Sequence, residues 1–586
     1  MKKIISYCIF VLILTAAHAQ TSVIPLGELK PFWRNHPVLG PFLQDGIWLD
    51  EVPDYFFGND FAYKKRPFPK EVLFADRLTV VRILGGTDSY PGLILSKNSG
   101  VNADGTMKKS AMSATDTAAI NQLSKYDFVY RKKDGSLAFR KDLIKNRLKP
   151  YIDNGYTDFT IVLDNVPWCL TQKPVIGSFG QVAPPDNPNE WYRTVKELCI
   201  TLKELLGEEK ANRLRFRIGT EMNGRERFAG TEDQFITHYD YTAAAIALVL
   251  PNAPLGLYNV SSVSVNNVQK IHNINTFHLY DHAANGINRQ SGKPNKAIPY
   301  AAISRYYYEN INLNQIVSGA KEYWDYIRDS IPGYKDFKRE IQEYGAIGAW
   351  SAKPRTDNPD AFGNAMNISM LINIYASGVS QIYLWNKLDK VNITKQKAIQ
   401  IPSSQLWGFS VLEYMAGGKA YQIIPGTNKT NADKTTHTAL LSVFNNKAYL
   451  LVSAFNPDRT KHDVHKVSIN IPKSIIPFAI KKSSRASLTN SNSISYNLRA
   501  AIESAGILSP FLAEKPEYTT SLRNMTSNMQ KATNLLWQNW EEYTSMWQNS
   551  LTLKSVKGIV TQDATSYTLN FEMTAPESTI IVLNIK

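Results

Sequence analysis

The stretch RFRIGTEMNG, residues 215–224, decides how the rest of this sequence is interpreted. It opens as a short run of alternating basic and apolar residues and stops abruptly at Thr220 and Glu221, followed by an amide and a glycine. Such a run predicts a short strand with a turn directly after it. Glu221 would then lie at the strand tip. It is either an ordinary solvated carboxylate or a catalytic group held at the edge of a sheet.

Short β-branched and aliphatic runs alternate with longer amphipathic runs from about residue 75 to residue 400. Between them, apolar residues recur at helical spacing and the runs end on glycine, as in residues 143–155 and 189–207. This alternation predicts a parallel sheet covered by helices. With an eighth strand near residues 40–49, it predicts a (β/α)8 TIM barrel with insertions; a doubly wound open sheet is the alternative. The other seven strand candidates are residues 78–84, 159–165, 214–219, 255–260, 300–308, 337–345 and 380–386.

The pattern changes after about residue 405, where segments such as 438–457 and 566–573 alternate at period two between turn residues. We therefore predict a barrel over residues 20–404 and a C-terminal antiparallel β-sandwich over 405–586, interrupted by a helical insertion. In that insertion the large apolar side chains have helical spacing, which predicts the buried face of one helix: Leu536, Trp540, Tyr543 and Trp547. The Ser/Asn-rich residues 483–495 are predicted to form an exposed loop.

The first 19 residues read as a secretory signal peptide. Lys2 and Lys3 precede an apolar run too short to span a bilayer, and Ala17-His18-Ala19 is a small-x-small cleavage site. No later segment is apolar enough to cross a membrane. We expect a secreted or periplasmic protein without a membrane span.

The remaining composition bounds the chemistry. Three Cys and nine His show no CxxC or HExxH pattern, and no Gly-rich phosphate loop is present, so no metal site and no cofactor are predicted. The chain has 66 Lys and Arg against 51 Asp and Glu, a net charge of +15. No nucleic-acid-binding module is recognisable. For an exported protein, this charge favours acidic or sulfated polysaccharides as partners over nucleic acid.

Two carboxylates stand out at predicted strand ends, where barrel enzymes place their functional groups. Glu221 ends the 214–219 segment, and Glu343 lies near the end of the 337–345 segment. Three βα units separate them, which places them across the mouth of a barrel. Glycoside hydrolysis needs two facing carboxyl groups, one protonated and one ionised. Glu340 is the rival of Glu343, but side-chain alternation would point it to the opposite face of the strand.

An ordered set of motifs resembles family 39 glycoside hydrolases, and more generally the large clan of (β/α)8 retaining glycosidases. The segment EWYRTVKELCITLKELLGEEKANRLRFRIGTEMNG resembles the approach to the acid/base residue of that family. Most of the chain is covered by further short motifs in the family's order: KPFWRNHPVLG, VVRILGG, FTIVLDNVPW, EDQFITHYDYTAAAI, ISRYYY, QEYG and IYLWN.

The resemblance implies Glu221 as general acid/base and Glu343 as nucleophile, about 5–5.5 Å apart, acting by double displacement. It implies Trp385 as the floor beside the sugar. Thr220 departs from the clan, which has Asn before the acid/base to bind the sugar 2-hydroxyl; Asn165 or Asn223 could replace that contact. The predicted substrate-binding residues are Arg82, Asn165, Trp168, Thr220, Asn223, Arg305, Tyr306, Tyr308, Trp385, Asn386 and Lys387.

The resulting hypothesis is a secreted retaining glycoside hydrolase that cleaves β-glycosidic bonds in a polysaccharide or its oligosaccharides. Acidic or sulfated substrates, such as an algal-type galactan, are included because basic residues follow the predicted strand tips: Arg225, Arg227, Arg305 and Lys387. The alternative, kept open by Thr220, is a non-catalytic glycan-binding protein on a glycosidase-like barrel. A lyase or esterase is less favoured, since no Gly-x-Ser-x-Gly segment is found.

Overall fold

The protein contains a unit of parallel strands and helices followed by a unit of antiparallel strands. Among the residues described, no helix is long and apolar enough to cross a membrane. The computed structural model describes residues 22–28, 78–86, 114–153, 158–177, 180–222, 227–261, 264–265, 274–307, 312–313, 316–346, 360–384, 391–392, 398–399, 403–430, 432–507, 531, 534–536 and 538–585.

Seven parallel strands form the first unit, and each pairs with its neighbours in sequence order. The first four and the last three form two sheets, which a parallel bridge between Val260 and Ile303 joins. All seven predicted strands are confirmed, whereas the eighth segment, 40–49, lies outside the described residues. Among the described strands none closes the sheet between its first and last members. The seven strands are Leu78–Arg82, Asp158–Val162, Arg215–Ile218, Leu255–Leu257, Tyr300–Tyr307, Lys338–Ala346 and Gln381–Leu384.

Local sequence sets the ends of the covering helices. The Asn187 side chain accepts the Asn189 N–H, Pro188 opens the helix, and Gly207 ends it at φ +80°. A capping box of Thr231 and Gln234 opens the Glu232–Val249 helix. The helices described in this unit are Ala114–Leu123, Lys141–Asp153, Pro188–Leu206, Glu208–Ala211, Glu232–Val249, Thr276–Asn285, Ser318–Ser330 and Ala361–Ala376.

Short elements decorate the connections of the first unit. Three small antiparallel pairs are described: Val129–Arg131 with Leu137–Phe139, Ile176–Gly177 with Gly180–Gln181, and Val391–Asn392 with Ala398–Ile399. Single 3₁₀ turns are formed by Ser124–Tyr126 and Trp168–Leu170.

Two antiparallel sheets build the second unit. The larger has the strand order Ser22–Glu28, Lys419–Ile424, Thr436–Phe444, Lys447–Phe455, Glu577–Ile585, Ile480–Leu488 and Lys554–Val556. The smaller has the order Gly426–Thr427, Val464–Pro472, Ser566–Thr574 and Val560–Gln562. Their facing side chains form one apolar core, which includes Leu441, Val452, Ile469 and Leu569. This is the sandwich predicted from the sequence.

The central strands of the larger sheet are buried on both faces, which the period-two prediction did not anticipate. Residues 448–455 are all buried, whereas Val464–Pro472 alternates between buried and exposed positions. Asn445 and Asn446 both have positive φ, as a two-residue hairpin turn requires. One face of the sheet meets the smaller sheet and the other meets helices. A continuous apolar run results, because both faces exclude water.

The helix Ala361–Ala376 fills the space between the two units. It is apolar around nearly its whole circumference and is buried over residues 361–372. On one side the Tyr344 hydroxyl donates to Asn367, and on the other the Ser453 hydroxyl donates to the Ala365 carbonyl. A helix that is apolar all round must be covered on all sides. The two units therefore share one hydrophobic core.

Some boundaries differ from the sequence prediction. Ser22–Glu28 pairs with Lys419–Ile424 in the sandwich, although residues 20–404 were predicted to form the barrel. Residues 483–495 are not a loop: they form most of a strand, the 3₁₀ turn Asn490–Asn492 and the start of the helix Ile494–Ser504. Their polar groups bond within the sheet, as Ser487 does to Thr579. The further helices are Ser404–Met415 and Trp540–Leu551. The four predicted side chains are buried as expected; Trp540, Tyr543 and Trp547 lie on the second helix, and Leu536 lies just before it.

Candidate active site

Charged side chains on the inner face of the parallel sheet connect strands that are not neighbours. One terminal nitrogen of Arg215 donates to both carboxylate oxygens of Glu340, at 2.8 and 3.0 Å. Its other terminal nitrogen donates to Gln381 at 2.6 Å and to Tyr383 at 2.9 Å. Two strands separate Arg215 from Glu340 in the order of the sheet. The sheet therefore curves around a shared interior.

A second layer of buried polar groups lies nearer the carboxyl ends of the strands. Arg217 is fully buried and donates to Gln342 Oε1 at 2.9 Å and to Thr220 Oγ1 at 2.7 Å. The Thr220 hydroxyl in turn donates to Asp164 Oδ2 at 3.1 Å. Thr220 is only 1% exposed. Its hydroxyl is thus engaged beneath the carboxylates instead of presented to a ligand.

A β-bulge re-aims the side chain of Glu343. In the pairing with Tyr300–Tyr307, Ile303 lies opposite Ile341 and Ser304 opposite Glu343, so Gln342 is the extra residue. A bulge interrupts the alternation of side chains. Glu340 and Gln342 bond to each other and to the interior arginines, while the Glu343 carboxylate also turns inward to Tyr306. The prediction that Glu340 faces away from Glu343 is therefore wrong.

Glu343 and Tyr306 form the centre of the site. The Tyr306 hydroxyl donates to Glu343 Oε2 at 3.0 Å, and the carboxylate is 3% exposed. Burial, together with the negative charges of Glu343 and Glu221, raises the pKa of Tyr306. The phenol therefore keeps its proton and acts as a donor. Both predicted catalytic carboxylates therefore contribute to the electrostatic environment of one hydroxyl group.

Glu221 occupies a strained turn. Its φ is +50°, in the left-handed region that non-glycine residues rarely adopt. Its backbone N–H donates to the Asn259 carbonyl at 3.1 Å, and its carboxylate pairs with Arg227 at 3.2 Å. Gly219, at φ +86°, is needed before it, since a Cβ there would lie 2.3 Å from the Met222 side chain. Strain of this kind clusters at functional sites.

The remaining predicted residues are distributed unevenly. Asn165 is buried and donates to the Gln181 carbonyl at 3.1 Å, and Trp168 is buried in a 3₁₀ turn. Arg305 packs over the Tyr307 ring, on the face of the strand opposite to Tyr306. Arg82 ends the Leu78–Arg82 strand, but its side chain lies outside the described part of the structure, as do five whole residues: Asn223, Tyr308, Trp385, Asn386 and Lys387.

Sequence reasoning missed Asp127, a buried residue that links two loops by hydrogen bonds. Its two carboxylate oxygens accept the backbone N–H groups of Gly86 at 2.8 Å and Trp168 at 2.7 Å, which joins the loops after two adjacent strands. Burial raises the pKa of Asp127 to about 7, although the two N–H groups oppose the shift. At Gly85, φ +111°, an added Cβ would lie 2.2 Å from the carboxylate. The neighbouring double glycine was the available signal.

Sequence reasoning also left Asp164 unassigned and treated Arg227 only as a rim charge. Asp164 directly precedes the predicted Asn165 and accepts the Thr220 hydrogen bond instead. Arg227 contacts the carboxylate of Glu221 itself. The position of Asp164 at a strand tip could have identified it, whereas the contact of Arg227 depends on the path of the turn.

Comparison with solved structures places this architecture. A family 39 glycoside hydrolase from Xanthomonas axonopodis pv. citri matches 96% of this chain and 95% of its own, with 11% identity and a TM-score of 0.54. The fold is that of the family 39 glycoside hydrolases. A monomeric β-xylosidase from Caulobacter crescentus has the same fold over 96% of this chain and 98% of its own, at 12% identity and a TM-score of 0.55. The bacterial orthologue of human α-L-iduronidase matches 97% of this chain and 84% of its own, at 10% identity and a TM-score of 0.59.

One curated relative also has the name of a glycosidase. It is an α-1,4-L-rhamnosidase from Formosa agariphila, 23% identical over 280 residues, which are 45% of this chain and 54% of the relative. The chain thus spans about half the length of the curated relative that it matches. No family model matches the sequence.

Proposed function

We propose that this protein is a secreted retaining glycoside hydrolase with Glu221 as general acid/base and Glu343 as nucleophile. The observation that carries the proposal is the hydrogen bond from the Tyr306 hydroxyl to the buried Glu343 carboxylate; burial and the negative charges of Glu343 and Glu221 all raise the pKa of that hydroxyl. The two carboxylates follow or belong to strands that are three βα units apart. A buried carboxylate held by a hydrogen bond from Tyr306, together with a second, partly exposed carboxyl group, suits a double displacement.

The different exposure of the two carboxylates supports their proposed roles. Glu343 is buried, and the hydrogen bond from the Tyr306 hydroxyl holds one of its carboxylate oxygens in place, which supports the role of nucleophile. Glu221 lies on a turn at the mouth and is 17% exposed, so it can exchange protons with substrate and water. It is the better candidate for the acid/base.

The reaction then has two steps. A Glu343 oxygen attacks the anomeric carbon while the bond to the leaving oxygen breaks, and Glu221 transfers its proton to that oxygen. In the second step a water molecule gives a proton to Glu221, the water oxygen bonds to the anomeric carbon, and Glu343 leaves as a carboxylate. The net change is hydrolysis with retention.

Further features belong to the same proposal. We propose that the curved sheet closes into a (β/α)8 barrel, with residues near 40–49 between the first and last described strands, because side chains already meet across its interior. We also propose export through residues 1–19 and a division near residue 404. The strand Ser22–Glu28 belongs to the sandwich although it precedes the barrel in sequence.

The substrate proposal is a β-linked polysaccharide or its oligosaccharides, with acidic or sulfated forms included. The positive charge of Arg227 supports an anionic group on the substrate, since this side chain is partly buried beside Glu221. Arg305 does not support it, because it lies on the other face of its strand. The relatives named α-1,4-L-rhamnosidase and β-xylosidase bring rhamnosides and xylosides into the set of substrates to test.

A digestion panel tests the function. Wild type, Glu221→Gln and Glu343→Gln are incubated with xylosides, rhamnosides, iduronides and neutral and sulfated galactans, and released reducing ends are counted. Both variants should lose at least about 10³-fold in activity with unchanged melting temperature. If either keeps near-wild-type activity on a responsive glycan, the assignment is wrong. Glycan binding without release by the wild type would favour the non-catalytic alternative.

A further inference from the structure

Arg217 occupies a singular position relative to the two proposed catalytic carboxylates. One terminal nitrogen bonds to Thr220, the residue directly before Glu221. The other bonds to Gln342, the residue directly before Glu343. One buried guanidinium group therefore contacts the chain neighbour of each carboxylate: Thr220 three residues later in its own chain segment, and Gln342 across the interior of the sheet.

Both partners of Arg217 belong to the backbone features that orient the two carboxylates. Gln342 is the extra residue of the bulge that turns Glu343 inward, so its side chain anchors the irregularity itself. Thr220 enters the turn in which Glu221 adopts φ +50°. A planar guanidinium holds two acceptors in a fixed relative geometry, which an ammonium group cannot do.

Thr220 completes a chain of hydrogen bonds to a third strand tip. Its hydroxyl accepts from Arg217 at 2.7 Å and donates to Asp164 at 3.1 Å. Cation, hydroxyl and carboxylate thus polarise one another in a buried setting, where such bonds are stronger than in water. A hydroxyl is the smallest group that both accepts and donates in this way.

We propose that Arg217 is a positioning residue that sets the relative placement of Glu221 and Glu343, and that Thr220 is its relay and not a ligand of the sugar. The inference rests on the proposed function. It accounts for threonine in place of the asparagine expected before the acid/base: a hydroxyl fits between Arg217 and Asp164, and the residue is 1% exposed.

Arg215 provides a matched control. It lies two residues earlier on the same strand and faces the same interior, and its two terminal nitrogens also hold two partners: Nη2 bonds to Glu340 on the strand of Glu343, and Nη1 bonds to Gln381. Its partner Glu340 is three residues from Glu343 and outside the bulge. Replacement of either arginine by lysine keeps the charge and removes the fork.

The test compares kcat, KM and melting temperature for Arg217→Lys and Arg215→Lys on a glycan that the wild type cleaves. Displacement of reacting groups by about 1 Å costs about 10²-fold in rate. We expect Arg217→Lys to lose 10- to 100-fold in kcat with KM within about threefold, and Arg215→Lys to stay within about threefold of wild type in kcat. Equal losses in both variants, or a loss confined to KM, would overturn the inference.

Two milder variants keep the test decisive if the lysine variants fold poorly. Thr220→Val removes both hydrogen bonds at constant shape and should lower kcat about 10-fold or more, and Thr220→Ser should recover most of that loss. A sugar-contact role would instead raise KM. Crystal structures of Arg217→Lys and Arg215→Lys give a readout without activity: the Glu221–Glu343 carboxyl separation should change only in the first. An unchanged separation refutes the inference, whereas activity in Glu343→Gln refutes the proposed function alone.

Discussion

Removal of the Tyr306 hydroxyl should disable the site without unfolding the protein. In Tyr306→Phe the hydrogen bond to Glu343, 3.0 Å long, is lost, and no other group is displaced. A hydrogen bond to a charged group contributes about 1.5–3 kcal/mol, more where the carboxylate is buried, as it is here. If that energy is realised in the transition state, kcat/KM falls about 10- to 150-fold, since 1.4 kcal/mol is a factor of ten.

The pH profile of kcat/KM gives a second readout of the same change. A donor to Glu343 favours its ionised form, so its removal makes the nucleophile easier to protonate. The acid limb of the profile should therefore move toward higher pH in Tyr306→Phe. The assay is initial-rate kinetics between pH 4 and 8 on the most reactive glycan of the panel.

Tyr307→Phe is the matched control. The same atom is removed one residue later, but the Tyr307 hydroxyl points to the other face and donates to the Ile316 carbonyl at 2.9 Å. We expect a loss of about 1 kcal/mol in the free energy of unfolding and unchanged kinetics. The proposed role of the Tyr306 hydroxyl is refuted if Tyr306→Phe keeps kcat/KM within threefold with the same acid limb, or if both variants lose activity equally.

Three further predictions concern the surroundings of the site. Gly219→Ala should lower kcat at least about 10-fold, because its Cβ would lie 2.3 Å from Met222 in the turn before Glu221. Gly207→Ala, at a similar φ but in open space, should cost about 1 kcal/mol of stability and no activity. Equal kcat values for the two variants would contradict the prediction. Arg227→Met should raise KM at least about threefold for sulfated or acidic glycans relative to their neutral counterparts, and an equal effect on both classes would remove the support for an anionic substrate. Burial raises the pKa of Asp127 from its ordinary value of 3.8 to about 7, so its contribution to stability is full below about pH 4 and is lost as pH rises toward 7. The melting-temperature difference between wild type and Asp127→Asn should therefore shrink over that range, and a constant difference would contradict the shift.

The strand and helix pattern of the first unit could be predicted from local sequence. Apolar periodicity and glycine stops located all seven described parallel strands, and Asn187, Pro188 and Gly207 set the ends of one long helix through contacts within a few residues. In the second unit the same reasoning failed at residues 483–495. Serine and asparagine usually favour loops, but here they satisfy their polar groups within a sheet that only distant strands provide.

Alternation, the rule that separated Glu340 from Glu343, also has a limit. It holds for a regular strand, and a bulge at Gln342 cancels it. The bulge is defined by the register against Tyr300–Tyr307, about 40 residues away, so no local pattern announces it. Arg305 was misjudged for the complementary reason: its strand is regular, and its position beside Tyr306 places it on the opposite face.

The sequence by itself determined the order of strands and helices, the two units and the two carboxylates at strand ends, because these depend on periodicity, turn residues and the parallel direction of successive strands. Only the tertiary structure decided what surrounds those carboxylates. Arg217 reaches Gln342 across a curved interior, Thr220 bonds to Asp164 at the tip of the neighbouring strand, and Asp127 joins two loops. Such contacts between distant segments depend on sheet curvature and burial, which make an unpaired polar group costly and so select partners far apart in the chain.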